Sequence, residues 1–508
     1  MPHLFEYFEP PIAAALEDVA PYVRQAAVFA VAKLQAMCPQ QCRQIGFAVR
    51  LQSMLYDRDA GVVINVLQAL GGLLKAEDPE SRGVALDKAL AVHLVNRLPD
   101  FNEWGLGFVL STLERFDWAG EGEELYAVMN AVEPCFQHAN SSVVMAAASL
   151  FLKFAEKKPQ LQGAILKRIR VPLITLSEGG FDELAFVLLS NVELLLQKDP
   201  SLFELDYRHF YLRHHDPQYL KEKKLQLLVA VASPRNMHDI VTELSDYVMD
   251  TCPAVGVRAI RAIAAIATKI PDAADHATHN LLTILKFDVE HLTAAVLAAF
   301  KDLLRFHRHH AARVITLAGP LALTVDDETA RGSVVWILGE FGEQLPNAPY
   351  LLEVLAEEYD SQKPFVKLQL LTASLKLFFK RPPEVKPWLG ALFQSSFNDS
   401  LEVNIRDRAL LYWRLLSTNV QEAARIINDP KLPIPADGFP ENETSELLDY
   451  LLEEFNSLSV IYHKPFSRWK PQVQYQAFHD PQESEDDHQH QQSDQPQSQS
   501  SSDSHPSV

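Results

Sequence analysis

The sequence repeats one layout eleven times at a nearly constant interval. Each segment has a polar or turn-forming start that leads into an amphipathic run of about 20 residues. The starts lie near Ala20, Asp57, Leu98, His138, Ser177, His214, Asp250, Phe287, Asp326, Ser361 and Asp399, so successive starts are 35 to 41 residues apart. A unit of this size cannot bury its apolar side alone. The chain is therefore restricted to an array in which each unit covers its neighbour.

Inside each unit the apolar residues follow a helical stripe. In the first unit Val23, Ala27, Ala30 and Leu34 are three or four residues apart, which places them on one side of a helix. Alternation with a period of two never persists, so strands are not indicated. A repeat just under 40 residues long is typical of the HEAT and armadillo class. The sequence therefore predicts an all-α fold, a right-handed α-solenoid of HEAT/armadillo type.

Composition divides the chain into three parts. Residues 1–429 are predicted to form a trunk of about eleven helix-pair repeats, with further N-terminal repeats missing. Residues 430–470 contain a Pro-rich break, Pro430 to Pro440, and a closing trunk helix. From Asp480 to Val508 there are seven acidic residues and no Lys or Arg. Because this stretch has almost nothing apolar to bury, residues 471–508 are predicted to be a disordered, acidic, Gln/Ser-rich, hinge-like tail.

Charge and hydropathy exclude several classes of protein. The formal net charge is −20, whereas general binding of nucleic acid needs a basic surface. Apolar stretches such as Leu292 to Phe300 are far shorter than the roughly 20 residues of a membrane span. Met1 to Pro10 lacks the basic start of a secretory signal. A cytoplasmic chain is predicted, and the four scattered cysteines are typical of a reducing compartment. They are Cys38, Cys42, Cys135 and Cys252.

No arrangement of residues indicates catalysis. The sequence contains no phosphate-binding Gly-rich loop, no nucleophile elbow and no zinc-protease motif. Cys38 and Cys42 lack a second ligand pair at zinc spacing. His307, His309 and His310 lie among arginines, which repel a metal ion, and no carboxylate or thiolate stands beside them in the sequence. We therefore predict no enzyme activity, no cofactor and no metal site.

Two basic runs are interpreted first as solvated surface. Residues 305–313 are predicted to be a turn between repeats, and Lys221, Lys223 and Lys224 a short solvated run. The alternative for both runs is an anionic partner or a lipid headgroup. Aromatic residues at helical spacing are usually core, but those near the last repeats could instead face a partner subunit. The possible partner-subunit interface is Trp336, Arg406, Tyr412, Trp413 and Arg414.

Several long segments resemble one protein family, in the same order along the chain. They are Pro21-Tyr22-Val23-Arg24, Glu103-Trp104-Gly105, Asp216-Pro217-x-Tyr219, Trp336-Ile337-x-Gly339-Glu340, Arg406-Asp407-Arg408, Tyr412-Trp413-Arg414-Leu415-Leu416 and the run from Ser459 to Pro465. These segments are similar to the trunk of the β-adaptins. Pro346 to Tyr350 and Glu290 to Thr293 look most like the β subunit of adaptor-protein complex 4. No clathrin box follows Lys470, which favours the same complex.

The resemblance implies a large subunit of a heterotetrameric vesicle-coat adaptor. Such a subunit scaffolds a medium (μ) and a small (σ) subunit beside a second large adaptin, and cargo tails are read by the complex. It implies a peripheral location on trans-Golgi network membranes and coated vesicles, through a small GTPase and lipid charge, and sorting of cargo towards endosomes. The alternatives are the β subunit of clathrin-associated complex 1 or 2, an importin-like carrier, or a phosphatase regulatory subunit.

Overall fold

The computed structural model describes residues 5–77, 84, 86–118, 122–399, 402–429 and 441–469. These residues contain helices and turns and no strand. The chain divides into two compact units, Met1–Pro465 and Phe466–Val508, and Phe466–Arg468 in the second unit form a 3-10 turn. The predicted Pro-rich break at residues 430–440 and the predicted tail at residues 471–508 lie outside the described residues.

The described part of the chain contains 25 α-helices, with short 3-10 turns at many of their joints. In chain order they are α1 Phe5–Leu16, α2 Pro21–Met37, α3 Pro39–Ile45, α4 Phe47–Ser53, α5 Ala60–Glu77, α6 Lys88–Asn96, α7 Glu103–Leu113, α8 Gly122–Val132, α9 Ser141–Lys157, α10 Gln162–Ser177, α11 Asp182–Lys198, α12 Gln218–Val231, α13 Met237–Asp246, α14 Pro253–Lys269, α15 Ala274–Leu285, α16 Glu290–Phe306, α17 Ala311–Ala318, α18 Glu328–Phe341, α19 Ala348–Glu357, α20 Pro364–Lys380, α21 Pro382–Asn398, α22 Val403–Thr418, α23 Val420–Asn428, α24 Glu441–Glu453 and α25 Leu458–Tyr462.

Eleven of these helices form one row, which we call the first row. Its members are α2, α5, α7, α9, α11, α12, α14, α16, α18, α20 and α22. Each begins one to five residues after one of the eleven segment starts seen in the sequence. Other helices or turns connect successive members, and most of these connecting helices pack against the first-row helices beside them. The eleven segments of the sequence therefore correspond to the eleven first-row helices.

The first-row helices begin where the sequence supplies helix-starting chemistry. Pro21, Pro253 and Pro364 occupy the first helical position, where no backbone N–H is needed. Asn102 and Asp327 cap α7 and α18, since their side-chain oxygens accept hydrogen bonds from the backbone N–H groups of Gly105 and Ala330. These residues mark where their helices begin. First-row helices therefore start at nearly the same interval as the repeated segments of the sequence.

Burial follows the apolar stripe. On α14 Ile260, Ile263 and Ile266 are fully buried. Ala259 and Ala267 beside them are also fully buried, and such small side chains let adjacent helices approach closely. Burying one Ile side chain contributes about 1.5–3 kcal/mol, so each helix depends on its neighbours for most of its stability.

Direct packing along the first row is weakest at one place, which we call the interruption. Direct packing between α9 and α11 is slight, and α10 lies against both of them instead. Near this interruption α24 and α25, which come after the last repeat, pack against α11. We call residues 441–465 the closing segment.

Candidate partner-binding surfaces

The last helix of the first row, α22, carries four of the five predicted interface residues. Its buried side, with Ile405 and Ala409 fully buried, packs on α20 and α21. Trp413 is 49% exposed, and its ring centroid lies 5.8 Å from that of Phe393 and 6.2 Å from that of Phe397, both on α21. Edge-to-face contacts of this kind hold an indole in place while one side of it faces solvent.

The remaining predicted residues differ in exposure. Arg406 and Arg414 are exposed on α22. Tyr412 is half-buried, and its hydroxyl lies 3.1 Å from the Thr372 hydroxyl on α20. Trp336 is half-buried on α18, with the guanidinium of Arg305 5.8 Å from its ring centroid. Because α20 separates α18 from α22, the structure brings four of the predicted residues onto one helix and leaves Trp336 apart.

The Trp-Ile-x-Gly-Glu segment that contains Trp336 joins three consecutive repeats. Glu340 accepts hydrogen bonds from Lys376 on α20 and from Arg308, whose Nη2 lies 2.7 Å from Oε1. Burial of Glu340 would raise the pKa of its carboxyl, but the Lys376 hydrogen bond and the charges of Lys376 and Arg308 outweigh burial and lower the pKa. The segment is therefore a structural tie between repeats in this fold.

Similar ion pairs join other repeats. Arg24 on α2 donates to Asp57 with both N–O distances at 2.8 Å, and Asp57 precedes α5. Burial of Asp57 opposes ionisation, but the hydrogen bond from Arg24 keeps the pKa of this carboxyl below its usual value. Lys367 on α20 likewise lies 3.0 Å from Asp399, which precedes α22. In both pairs, a base early in one first-row helix meets the acid that begins the next repeat.

The closing segment reaches back to the middle of the trunk. The backbone N–H of Asn456 donates to the side-chain oxygen of Asn191 on α11 at 3.1 Å, across 265 residues. Asn191 is fully buried, and its amide nitrogen donates to the Val187 carbonyl at 2.9 Å. Leu451 and Phe455 of the closing segment are almost fully buried. The closing segment is thus held by apolar burial together with an oriented, buried amide.

The family of this chain follows from its similarity to known proteins. The family described as the Adaptin N terminal region matches residues 1–419. This chain belongs to the adaptin family. The predicted resemblance to the β-adaptin trunk is confirmed.

Curated relatives of this adaptin are β-type subunits. It is 35% identical over 474 residues to "Beta-adaptin-like protein A" of Arabidopsis thaliana, which covers 92% of this chain and 56% of the relative. It is 31% identical to "AP-4 complex subunit beta-1" of Mus musculus, covering 91% of this chain and 62% of the relative. It is also 31% identical to "AP-1 complex subunit beta-1" of Homo sapiens, covering 91% and 48%. The chain spans about half to three fifths of the length of these relatives.

Solved structures show the same fold at low identity. A chain of "Homology model of the full-length AP-3 complex in an intermediate open conformation" has a TM-score of 0.55 at 15% identity, covering 90% of this adaptin and 83% of that chain. The crystal structure of a Kap121p mutant has a TM-score of 0.50 at 12% identity, covering 89% and 52%. The predicted helical solenoid is confirmed.

One prediction about charge was wrong in this adaptin. Lys221, Lys223 and Lys224 were expected in a solvated run, but all three are buried on α12. Lys221 lies 2.8 Å from Asp250, Lys224 lies 2.5 Å from Asp216, and Lys223 pairs with the Glu193 carboxylate. These ion pairs could not be predicted from the run of lysines, because some of the acidic partners lie as far as 30 residues away in the sequence.

The other basic run, residues 305–313, is a turn between repeats only in its middle, because residues 305–306 belong to α16 and residues 311–313 to α17. Arg308–His310 form a 3-10 turn between α16 and α17. His310 is buried, and its Nδ1 lies 3.6 Å from an oxygen of Asp275. Burial lowers the pKa of His310, with smaller contributions in the same direction from His309, His307 and Arg313 and an opposing one from Asp275. Within the ranges described, no three His, Cys, Asp or Glu side chains come together as a metal site would require.

Two further features bear on location and redox chemistry. None of the helices described here has the length and apolar character that crossing a bilayer requires. The four cysteines are free thiols. Burial raises the pKa of Cys42 to about 11, with a smaller contribution from Cys38, and burial also raises the pKa of Cys135 to about 11.

Proposed function

We propose that this adaptin is the trunk of the large β subunit of a heterotetrameric vesicle-coat adaptor. In this role it scaffolds a medium and a small subunit beside a second large adaptin, and the complex sorts membrane-protein cargo for transport from the trans-Golgi network to endosomes. The observation that supports the proposal is the match to the Adaptin N terminal region over residues 1–419, together with β-type relatives.

The fold suits this role mechanically. A stack of helix pairs makes contacts mainly between neighbours, so its surfaces extend over many repeats and can hold partners much larger than a pocket would. Some of the ion pairs between repeats lie largely inside the stack, as those of Glu340 with Lys376 and of Asp57 with Arg24 do. Arg406, Trp413 and Arg414 on α22 are exposed and can contact another chain.

We propose α22 as one partner-subunit interface. Arg406 and Arg414 are exposed, and Trp413 presents half of its surface to solvent. Arginine beside a partly exposed tryptophan is the chemistry enriched at the centres of protein–protein interfaces. Tyr412 positions α22 against α20 through Thr372. Trp336 would contribute from α18, two first-row helices before α22.

The proposed subtype is adaptor-protein complex 4, with complexes 1 and 2 as alternatives. Residues Pro346 to Tyr350 and Glu290 to Thr293 support complex 4, while the AP-4 and AP-1 relatives are equally identical at 31%. We propose a cytoplasmic location, peripheral on trans-Golgi network membranes and coated vesicles. Recruitment would depend on a small GTPase and on lipid charge. Cargo would be read by the partner subunits.

Co-purification tests this proposal. A tagged copy of the full chain is expressed in cells, and bound proteins are identified by mass spectrometry. Recovery of ε, μ and σ subunits of complex 4 supports the proposed subtype, whereas γ or α large chains assign it to complex 1 or 2. Recovery of a phosphatase catalytic chain or of nuclear-import cargo, without adaptor subunits, contradicts the adaptor function.

A matched pair of variants tests the α22 interface. Arg406→Glu/Arg414→Glu reverses two exposed charges on α22 and is expected to reduce recovery of at least one adaptor subunit by roughly tenfold or more, the effect of losing about 1.4 kcal/mol of binding. Arg50→Glu/Arg58→Glu makes the same charge change at exposed residues near the start of the chain and should leave recovery unchanged. Equal recovery with both variants would remove α22 from the interface.

A further inference from the structure

The interruption of the first row between α9 and α11 has the features of a hinge. Most successive first-row helices pack directly, as α18 and α20 do extensively, although α5 on α7 and α20 on α22 pack less closely. Between α9 and α11 that packing is slight, and the two helices are joined through α10. A helical stack bends most easily where it lacks direct side-by-side contacts, since the interfaces between neighbours set its curvature.

The backbone around α10 fits the same interpretation. Pro172 lies inside α10, where it removes one backbone hydrogen bond of the helix. α10 is connected to α11 through Gly179 and Gly180, and Gly180 has φ of +87°, a left-handed conformation that glycine adopts without strain. A β carbon on Gly180 would meet nothing within 4 Å. Because neither glycine carries a side chain, this turn has a wider range of dihedral angles open to it than other residues would allow, as is common at hinges.

The closing segment lies across this hinge. On one side α24 and α25 pack on α11, and the backbone of Asn456 donates a hydrogen bond to Asn191. Leu451 and Phe455 of the segment are buried. On the other side α24 and α9 line a shared cavity of about 410 Å³, to which they contribute Leu452 and Leu152. Close packing on one side and a cavity on the other show that α24 fills only part of the space between α9 and α11.

Charged side chains line the cavity from all three helices. α24 supplies Asp449 and Glu453, and α11 supplies Lys198. α9 supplies Lys153 and Glu156, which pair with each other at 3.2 Å. The positive charge of Lys198 opposite Asp449 and Glu453 favours α24 lying beside α11. Tyr450 on α24 is 55% exposed and faces away from the core, so it provides a built-in control position.

We propose that the closing segment is a strap that sets the angle between the two halves of the trunk, α2–α9 and α11–α22, at a hinge formed by α10 and the Gly179-Gly180 turn. Release of the strap leaves both halves folded and frees the hinge. This inference goes beyond the proposed function and does not depend on it, because it uses only contacts within the chain.

Double electron–electron resonance on the full chain, which measures the distance between two spin labels, tests whether the strap sets the hinge angle. Spin labels are placed at exposed Asn130 on α8 and exposed Asp272 after α14, one in each half, in a Cys38→Ser/Cys252→Ser background. Leu451→Ala/Phe455→Ala removes the two buried strap side chains, and Leu451→Asp/Phe455→Asp forces release if the milder variant stays docked. Tyr450→Ala is the matched control. Hydrogen–deuterium exchange on each variant reports which helices remain protected.

The expected result has two parts. In the strap variants, residues 441–465 lose protection from hydrogen exchange while α14 to α20 keep theirs. The distribution of distances between the spin labels broadens, and its mean shifts. The Tyr450→Ala protein matches the wild type in both measurements. An unchanged distance distribution after the strap has lost protection overturns the proposal. So does loss of protection in α14 to α20 together with the strap, since the segment would then be part of one cooperative core.

Discussion

Gly339 on α18 lies so close to α20 that a β carbon built on it would be 2.5 Å from the Cα atom of Ala373. Real β carbons do not approach a backbone atom this closely, so the two helix backbones can be in contact only because residue 339 has no side chain. The glycine of the Trp-Ile-x-Gly-Glu segment therefore has a packing role. Glu340, the next residue, adds the polar tie to the same helix.

The first prediction concerns this close approach. Gly339→Ala should lower the free energy of unfolding by about 1–3 kcal/mol, the usual cost of overpacking a core. Urea unfolding followed by circular dichroism measures it. Gly390→Ala is the control, because position 390 is exposed on α21 and an added β carbon there meets nothing within 4 Å. That variant should be neutral or more stable by up to about 1 kcal/mol, since alanine favours a helix. Equal destabilisation by both would contradict the packing explanation.

The second prediction concerns the buried pair of Lys224 and Asp216. Lys224→Met leaves the Asp216 carboxylate, 3% exposed, without its cation, and should cost about 3–5 kcal/mol. Adding Asp216→Asn removes the unpaired charge while keeping an acceptor for the Arg213 N–H. The double variant should therefore be more stable than Lys224→Met alone.

The control for this cycle is Lys386→Met. Lys386 is exposed on α21, and its substitution should change stability by less than about 0.5 kcal/mol. Urea midpoints of wild type, the two single variants and the double variant give the coupling. If the double variant were as unstable as the sum of the two single variants, Lys224 and Asp216 would not act as a pair.

The third prediction is the pH dependence of the Glu340 tie. Its native pKa is lowered, so the folded protein binds a proton there less readily than the unfolded chain does. The stabilisation is thus complete above the unfolded pKa of about 4.3 and is lost as pH falls through the native value. Wild-type protein should lose more stability than Glu340→Gln between pH 6 and pH 3.

The control for pH is Glu357→Gln, an exposed position on α19. Its pH profile of the urea midpoint should follow that of the wild type, whereas Glu340→Gln should start lower at pH 6 and fall less steeply. Parallel profiles for wild type and Glu340→Gln would show that the Lys376 and Arg308 contacts do not stabilise the charged carboxylate.

The fold could be predicted from the sequence because the signals that define each repeat lie within a few residues of one another. Caps such as Asn102 and first-turn prolines such as Pro253 fix each helix start within a few neighbouring residues. The ion pairs of Lys221, Lys223 and Lys224 were missed since their partners lie in other helices or turns. The contact between Asn456 and Asn191 could not be predicted from the sequence either. The two residues are 265 positions apart, and neither carries a local signal of the contact.

The candidate interface was predictable only in part. Arg406, Tyr412, Trp413 and Arg414 share α22, as their spacing in one amphipathic helix indicated. Which of them would be exposed depended on α20 and α21, and the Thr372 hydroxyl that contacts Tyr412 comes from a helix 40 residues earlier. Trp336 lies on α18, and Arg305 covers part of its ring. Helical spacing predicts a shared helix, but exposure follows from the neighbours.

The last prediction concerns thiol reactivity. Only the thiolate reacts with iodoacetamide, and burial raises the pKa of Cys42 and Cys135 to about 11. At pH 8 about one thiol in a thousand is then ionised at either position, and burial also limits access of the reagent. Cys38 and Cys252 are half-buried and should be alkylated first. Peptide mass spectrometry over a time course gives the four rates of alkylation.

The same time course in urea is the control, because unfolding should bring all four cysteines to similar rates. Rapid modification of native Cys42 or Cys135 would mean that α3, or the turn after α8, opens far more often than its burial indicates.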